Sequence, residues 1–346
     1  MNSTCAACIA LLATSVSATS LQAQDAETFF AGKTINLIVA STPGGGYDAY
    51  ARTLERHFAR HVPGKPSLTI QYIPGGGGMV AANTIFNLAK KDGTTLAMLA
   101  SSSFLVGALG EPLAKFENAK FTNIGNMSEE TDTCSVWHST GVKDHRDFLT
   151  KPLIVGTAGI GSNSQTFPMA MNEVLNARFK FVTGYQGSAT LRTTAMESGE
   201  LQATCGIFVS TLSSQLGGLL NDGKLKVVLQ MGLSRHPKFA DVPNALELAP
   251  DEAGRSAFEL LFAQLALGRP IMAPPGVPKE IARVLAKAFA DTMNDPAYLA
   301  DAQRLKLETR WFGPERMDSI MAQMDQAPEP VKAKVRKMLN IAEPAR

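Results

Sequence analysis

Apolar residues follow two alternating periods along the first hundred positions, and this alternation predicts an α/β unit. A largely apolar run over residues 34–40 is typical of a buried strand, and apolar residues at every fourth position over residues 47–62 predict a helix. A second strand over 68–72, a second helix over 81–89 and a third strand over 94–100 follow. Strands and helices in this order predict a parallel sheet with right-handed crossovers.

The same alternation returns after residue 134, which predicts a second α/β unit, and the C-terminal part reads as helical. A chain of 346 residues is long enough for two domains, at roughly 100–200 residues per domain. We therefore predict an α/β chain of two lobes joined by crossing segments. Lobe I is predicted over residues 32–127, with residues 258–346 returning to it, and lobe II over residues 128–257.

Two predicted strands end in a proline, several glycines and then a helix. The first such loop and helix start comprise Gly44, Gly45, Gly46 and Tyr47, and the second comprise Gly76, Gly77, Gly78 and Met79. Glycines let a ligand approach the backbone, and a helix N-terminus carries a partial positive charge. Adjacent parallel strands bring such loops to one edge of the sheet, so the pair predicts an anion site. Two tight turns without a ligand are the alternative.

The sequence lacks the motifs of nucleotide-binding and metal-binding sites. Neither glycine loop ends in GK[ST], and the first lacks the GxGxxG spacing of a dinucleotide site. His57 and His61 belong to no HExxH pattern, and Asp48 lies in a first helical turn, where an acidic residue is ordinary. The sequence predicts no catalytic group, no metal site and no cofactor.

Composition and charge restrict the partners. Apolar residues make up 45% of the chain, charged residues 18%, and the net charge is only +2. No basic block is present, so nucleic acid is not an expected partner. An anionic ligand must then be held by local geometry, and we expect the protein to be a monomer.

The N-terminus resembles a secretory signal peptide over residues 1–23. An apolar run from Ile9 to Val16 precedes small residues that end at Ala23, which predicts cleavage there and export to the periplasm. An N-terminal tail is the alternative. The mature chain keeps Cys134 and Cys205, which form either one disulfide or two buried thiols.

Seven segments occur in the order of a known family: PGGGYDAYAR, IPGGGGMVAAN, KDGTTLAML, GTAGIGSNSQ, GYQG, ESGELQAT and APPGVPKEI. In this order they resemble the substrate-binding receptors of tripartite tricarboxylate transporters, the Bug receptors, in one of their less studied branches. The resemblance implies a type II periplasmic-binding-protein fold, with two α/β lobes and a hinge. It also implies a small organic carboxylate ligand in the cleft between the lobes and the membrane permease subunits as partner.

Carried over by position, the resemblance places the ligand against both glycine loops and a second set of residues. This second set comprises Ser102, Gly161, Ser162, Ser164, Tyr185 and Phe208. Gln186 stands where the family usually has Lys, which favours a smaller or less charged carboxylate. Arg269 is a candidate partner of a ligand carboxylate or, alternatively, a structural residue beside a hinge. A sensor that docks on a signalling protein and a cytosolic enzyme for a phosphorylated substrate are the alternative functions.

Overall fold

The computed structural model describes residues 28–159, 161–185 and 189–343, so the predicted signal peptide lies outside the described residues. The strands are β1 (Thr34–Val39), β2 (Ser67–Tyr72), β3 (Thr95–Met98), β4 (Thr122–Asn126), β5 (Asp132–Trp137), β6 (Ile154–Thr157), β7 (Lys180–Thr183), β8 (Ala203–Phe208), β9 (Leu225–Met231) and β10 (Pro270–Ala273). The helices are α1 (Gly46–Phe58), α2 (Met79–Leu88), α3 (Ser101–Ala108), α4 (His145–Thr150), α5 (Asn163–Val174), α6 (Ala189–Glu197), α7 (Val209–Gln215), α8 (Gly217–Asn221), α9 (Glu252–Ala263), α10 (Lys279–Met293), α11 (Pro296–Arg304), α12 (Pro314–Asp325) and α13 (Glu329–Leu339).

The strands form two five-stranded sheets with matching topology. The first has the order β2-β1-β3-β10-β4 and the second the order β7-β6-β8-β5-β9. In each sheet the three strands at one end are parallel, as predicted, and the next strand is antiparallel to both neighbours. The antiparallel strands, β5 and β10, lie within the two segments predicted to cross between the lobes, residues 128–138 and 257–273.

Strand β1 has apolar residues on both of its faces because helices cover both faces of the sheet. Ile35 and Leu37 pack in the core on the α1 side, with Leu54, whereas Ile38 packs on the other side, with Ile85 of α2. Full burial of each such side chain contributes about 1.5–3 kcal/mol to folding. The fourfold spacing of α1 and the residues Ile35 and Leu37 of β1 therefore reflect one packed interface, and Ile38 belongs to a second interface on the other face.

The last helix departs from the predicted return to lobe I. Helices α10 and α12 pack on β4 and α11 packs on α1, whereas α13 packs on α5 and α9. The end of the chain thus contacts elements of the second sheet's side. No helix within the described residues is both long and apolar enough to cross a membrane.

A disulfide joins Cys134 of β5 to Cys205 of β8, which are 71 residues apart in sequence and on neighbouring strands. Of the two alternatives for the mature cysteines, the structure thus has the disulfide. Both residues are fully buried, so the bond lies inside the second lobe.

Removal of this disulfide should lower the free energy of unfolding by about 2–4 kcal/mol, because the bond restricts the unfolded chain. Urea unfolding of the Cys134→Ala/Cys205→Ala variant against wild type measures the loss. Dithiothreitol should destabilise wild type and leave the variant unchanged. Equal stability of the oxidised wild type and the variant would contradict the expectation.

Candidate functional site

Four helices begin where the two sheets face each other. Gly46 starts α1, Gly78 precedes α2, Ser101 starts α3 and Asn163 starts α5, and all four residues line one cavity of about 170 Å³. At the starts of α1, α2 and α5 no side chain of the described residues acts as a cap, whereas at the start of α3 the Tyr47 hydroxyl accepts a hydrogen bond from the Ser101 N–H. Each uncapped start favours an anion by about 0.3–1 kcal/mol, so the cavity is suited to a negatively charged ligand.

The second glycine loop brings the two lobes into contact. Gly76, Gly77 and Gly78 all have positive φ, between 55° and 101°. A Cβ on Gly77 would lie 2.4 Å from the carbonyl carbon and oxygen of Gly161, in the loop that precedes α5. The backbones of the two lobes approach so closely there that only glycine fits at position 77.

The first glycine loop is held by an acidic side chain. The Asp48 carboxylate accepts hydrogen bonds from the backbone N–H of Gly44 at 2.8 Å and from Arg52 Nε at 2.8 Å. It also accepts one from the Tyr72 hydroxyl, and these hydrogen bonds lower its pKa against the opposing effect of burial. Asp48 is therefore a brace of the loop, and its carboxylate is already occupied.

Tyr47 takes part in the cavity wall in two ways. Its hydroxyl oxygen accepts a hydrogen bond from the backbone N–H of Ser101 at 3.1 Å, at the start of α3. Its ring lies 6.3 Å from that of Phe208, which comes from the second sheet. Tyr47 thus closes one helix start of the first lobe and touches the opposite lobe.

The structure brings many of the residues implied by the resemblance into the cavity wall, namely Gly46, Tyr47, Gly76, Gly77, Gly78, Ser102, Ser162, Ser164 and Phe208. Gly44, Gly45, Met79 and Gly161 lie in the adjoining loops and helix starts. The Tyr185 side chain is elsewhere, because its hydroxyl donates to Glu200. Gln186 lies outside the described residues.

Arg269, one of two buried arginines in the wall, is already paired. Its guanidinium carbon lies 4.5–4.7 Å from the ring centroids of Tyr47, Tyr50 and Phe208. Its Nη2 lies 3.3 Å from Glu130 Oε1, and both side chains are 0% exposed. Burial raises the pKa of Glu130, and the charge of Arg269 opposes that rise. The three aromatic rings around Arg269 come from both lobes, so this side chain stabilises the closed arrangement of the lobes.

Arg192 of α6, which no sequence motif indicates, is the second buried arginine in the wall. It is 5% exposed, its Nε donates to Thr204 Oγ1 at 2.7 Å, and its Nη2 donates to the Gly206 carbonyl at 3.2 Å. Burial lowers its pKa to about 10, so it remains a cation at neutral pH.

Asp132 is buried beside the cavity, between Asn163 and the backbone of Thr133. Its carboxylate accepts from the Thr133 N–H at 2.7 Å and from Asn163 Nδ2 at 3.3 Å. Burial raises its pKa to about 7, against the lowering effects of these hydrogen bonds and of Arg192, while Glu130 adds to the rise.

The pKa of Asp132 is near 7 in the folded protein and 3.8 as a free side chain. Between pH 3.8 and about pH 7 the Asp132 carboxyl group is therefore protonated in the folded chain and ionised in the unfolded chain. Its stabilising contribution should be complete below pH 3.8 and lost as the pH rises through about 7. Asp132→Asn should therefore stabilise the protein more at pH 8 than at pH 5, in urea unfolding at each pH.

Asp144→Asn is the control, because this residue caps α4 and hydrogen bonds to the helix lower its pKa. It should leave the change in stability between pH 5 and pH 8 as in wild type. A wild-type change that persists in Asp132→Asn would contradict the assignment.

The described residues contain no group of three or more His, Cys, Asp or Glu side chains that could hold a metal ion. The chemistry of the cavity is instead that of backbone N–H groups, hydroxyls and two guanidiniums. Such an arrangement can bind an anion reversibly.

Comparison with known proteins places the fold. A UPF0065 protein of Bordetella bronchiseptica is 23% identical over 295 residues, which are 83% of this chain and 81% of that protein. No protein-family model matches the chain. The periplasmic binding protein BugD has a TM-score of 0.70 at 18% identity, over 89% of this chain and 98% of that chain.

MatC from Rhodopseudomonas palustris, whose structure contains bound malate, has a TM-score of 0.67 at 22% identity, over 89% of this chain and 99% of that chain. Its similarity and that of BugD extend over both sheets. These matches confirm the predicted fold class, and the chain has the two-lobed α/β fold of periplasmic solute-binding proteins.

Proposed function

We propose that this protein is a periplasmic receptor that captures a small organic carboxylate between its two lobes. The observation that carries the proposal is the convergence of four helix starts on one cavity between the lobes, three of them without a side-chain cap among the described residues. An anion there would be held by backbone N–H groups of both lobes, so its binding would favour the closed form. The similarity to MatC, which binds malate, supports a carboxylate as that anion.

The size of the cavity limits the ligand. An engineered cavity of about 150 Å³ holds benzene, so the volume of about 170 Å³ here suits an acid of roughly six heavy atoms or a few more. We therefore expect short-chain acids to bind better than citrate or long fatty acids.

The partner and location follow from the resemblance. The receptor would deliver its ligand to the permease subunits of a tripartite tricarboxylate-type transporter. It would act as a monomer in the periplasm, after cleavage of the signal peptide near Ala23. Mass spectrometry of a periplasmic fraction should find a chain that begins near Gln24, and full-length protein in the cytoplasm would contradict this.

A thermal-shift screen of residues 24–346 tests the proposal. The panel should contain mono-, di- and tricarboxylates, with amino acids and sugar phosphates as comparators. At 100 times its dissociation constant a ligand stabilises the protein by about 2.7 kcal/mol, which raises the melting temperature by several degrees. Stabilisation by a short carboxylate is expected. A response confined to sugar phosphates would overturn the proposal in favour of a phosphate-substrate protein.

A further inference from the structure

Arg192 is a buried cation whose charge is not neutralised by an ion pair with any described residue. Both of its hydrogen-bond acceptors, Thr204 Oγ1 and the Gly206 carbonyl, are uncharged. Among the described residues, no carboxylate oxygen lies within 4.0 Å of a guanidinium nitrogen of Arg192, the distance that defines an ion pair. Arg269, by contrast, has Glu130 within 3.3 Å.

The acidic group that acts electrostatically on Arg192 is Asp132, and it compensates the charge only in part. The Asp132 oxygens accept from the Thr133 N–H and from Asn163 instead. With a pKa raised to about 7 by burial, Asp132 is only partly ionised at neutral pH. A buried charge without a partner is costly, because the interior cannot replace the water that it loses.

The position of Arg192 shows where a partner would come from. Its side chain lines the cavity on the side of the second lobe, and the second glycine loop lines the same cavity on the side of the first lobe. A ligand that fills the cavity therefore touches both the guanidinium and the uncapped helix starts of the first lobe.

We infer that Arg192 selects a ligand with two carboxylates, one bound by its guanidinium and the other by the helix starts at the glycine loops. This inference rests on the proposed function and adds the ligand class, a dicarboxylate of about four to six carbons. A guanidinium can donate two parallel hydrogen bonds to one carboxylate, which makes such a contact both strong and selective for a second acid group.

Chain-matched acids provide the test: succinate against butyrate, and adipate against hexanoate. Calorimetric titration of wild type should show roughly 10- to 100-fold tighter binding of the dicarboxylate in at least one pair, since hydrogen bonds to charged groups contribute that much. Arg192→Gln should bring the ratio close to one by weakening dicarboxylate binding alone, and Arg192→Lys should keep part of it. Arg178→Gln removes one positive charge from an exposed residue and should keep the wild-type ratio.

A merely structural role for Arg192 would weaken both members of a pair alike, so the ratio separates the two roles. Equal affinity of wild type for the two acids of each pair would overturn the inference about Arg192, and so would an unchanged affinity ratio in Arg192→Gln. Neither result would contradict the proposed function as a carboxylate receptor. No binding of any carboxylate by wild type would overturn both. If Arg192→Gln does not fold, the wild-type ratio and the Arg192→Lys variant still decide.

Discussion

Replacement of Gly77 by alanine should remove most of the stabilisation that a bound ligand gives, while the chain still folds. The added Cβ would lie 2.4 Å from the Gly161 carbonyl group and 2.9 Å from the Ser162 nitrogen. These are backbone atoms of the opposite lobe and cannot rotate away, so the lobes would have to stay apart. The closed cavity would not form, and the gain of about 2.7 kcal/mol at 100 times the wild-type dissociation constant should largely disappear.

Gly223→Ala separates this effect from backbone strain. Gly223 has φ +67°, close to the +61° of Gly77, but a Cβ there would have nothing within 4 Å. Both variants should lose about 1–2 kcal/mol of stability without ligand, because alanine is strained at positive φ. Only Gly77→Ala should lose the ligand-dependent gain in melting temperature. A normal gain in Gly77→Ala would show that ligand binding does not require this contact.

The second large effect is expected from Glu130→Gln, which should lower the free energy of unfolding by about 3–5 kcal/mol. The variant keeps the shape of the side chain but leaves Arg269 as an unpaired buried cation among three aromatic rings. Urea unfolding at pH 7 measures the loss. The additional change Arg269→Met should recover part of it, because the unpaired charge is then gone.

Glu247→Gln is the matched control, because Glu247 pairs with Arg235 at the surface, where the side chains are 41% and 42% exposed. Its loss should stay within about 1 kcal/mol. A similarly small loss in Glu130→Gln would indicate that burial keeps Glu130 protonated, so that glutamine replaces an already neutral group.

The sequence predicts the parts of the fold that depend on local periodicity. Strand β1 has apolar residues on both faces because helices cover both faces of the sheet, whereas helix α1 has an apolar residue at every fourth position because only one side of it is buried. The antiparallel direction of β5 and β10 is not encoded locally, since each strand pairs with partners far along the chain. The packing of α13 on α5 could not be predicted either, because an amphipathic pattern shows that a helix has a buried face but not which element covers that face.

The candidate site divides in the same way. The glycine loops could be identified because backbone approach requires glycine at fixed places such as Gly77. Arg192 could not, because an arginine in a helix normally points to solvent, and only tertiary packing buries this one. The guanidinium also alters the expectation drawn from Gln186, since the second lobe does contribute a positive charge to the cavity.

The central claim is that a carboxylate binds between the lobes against the uncapped helix starts. A crystal structure of residues 24–346 with the tightest acid from the screen tests it most directly. We predict carboxylate oxygens within about 3.2 Å of backbone N–H groups of the second glycine loop and of the start of α5, with the lobes closed at Gly77 and Gly161. A ligand bound outside this cavity, or a closed cavity without the acid at saturating concentration, would contradict the account.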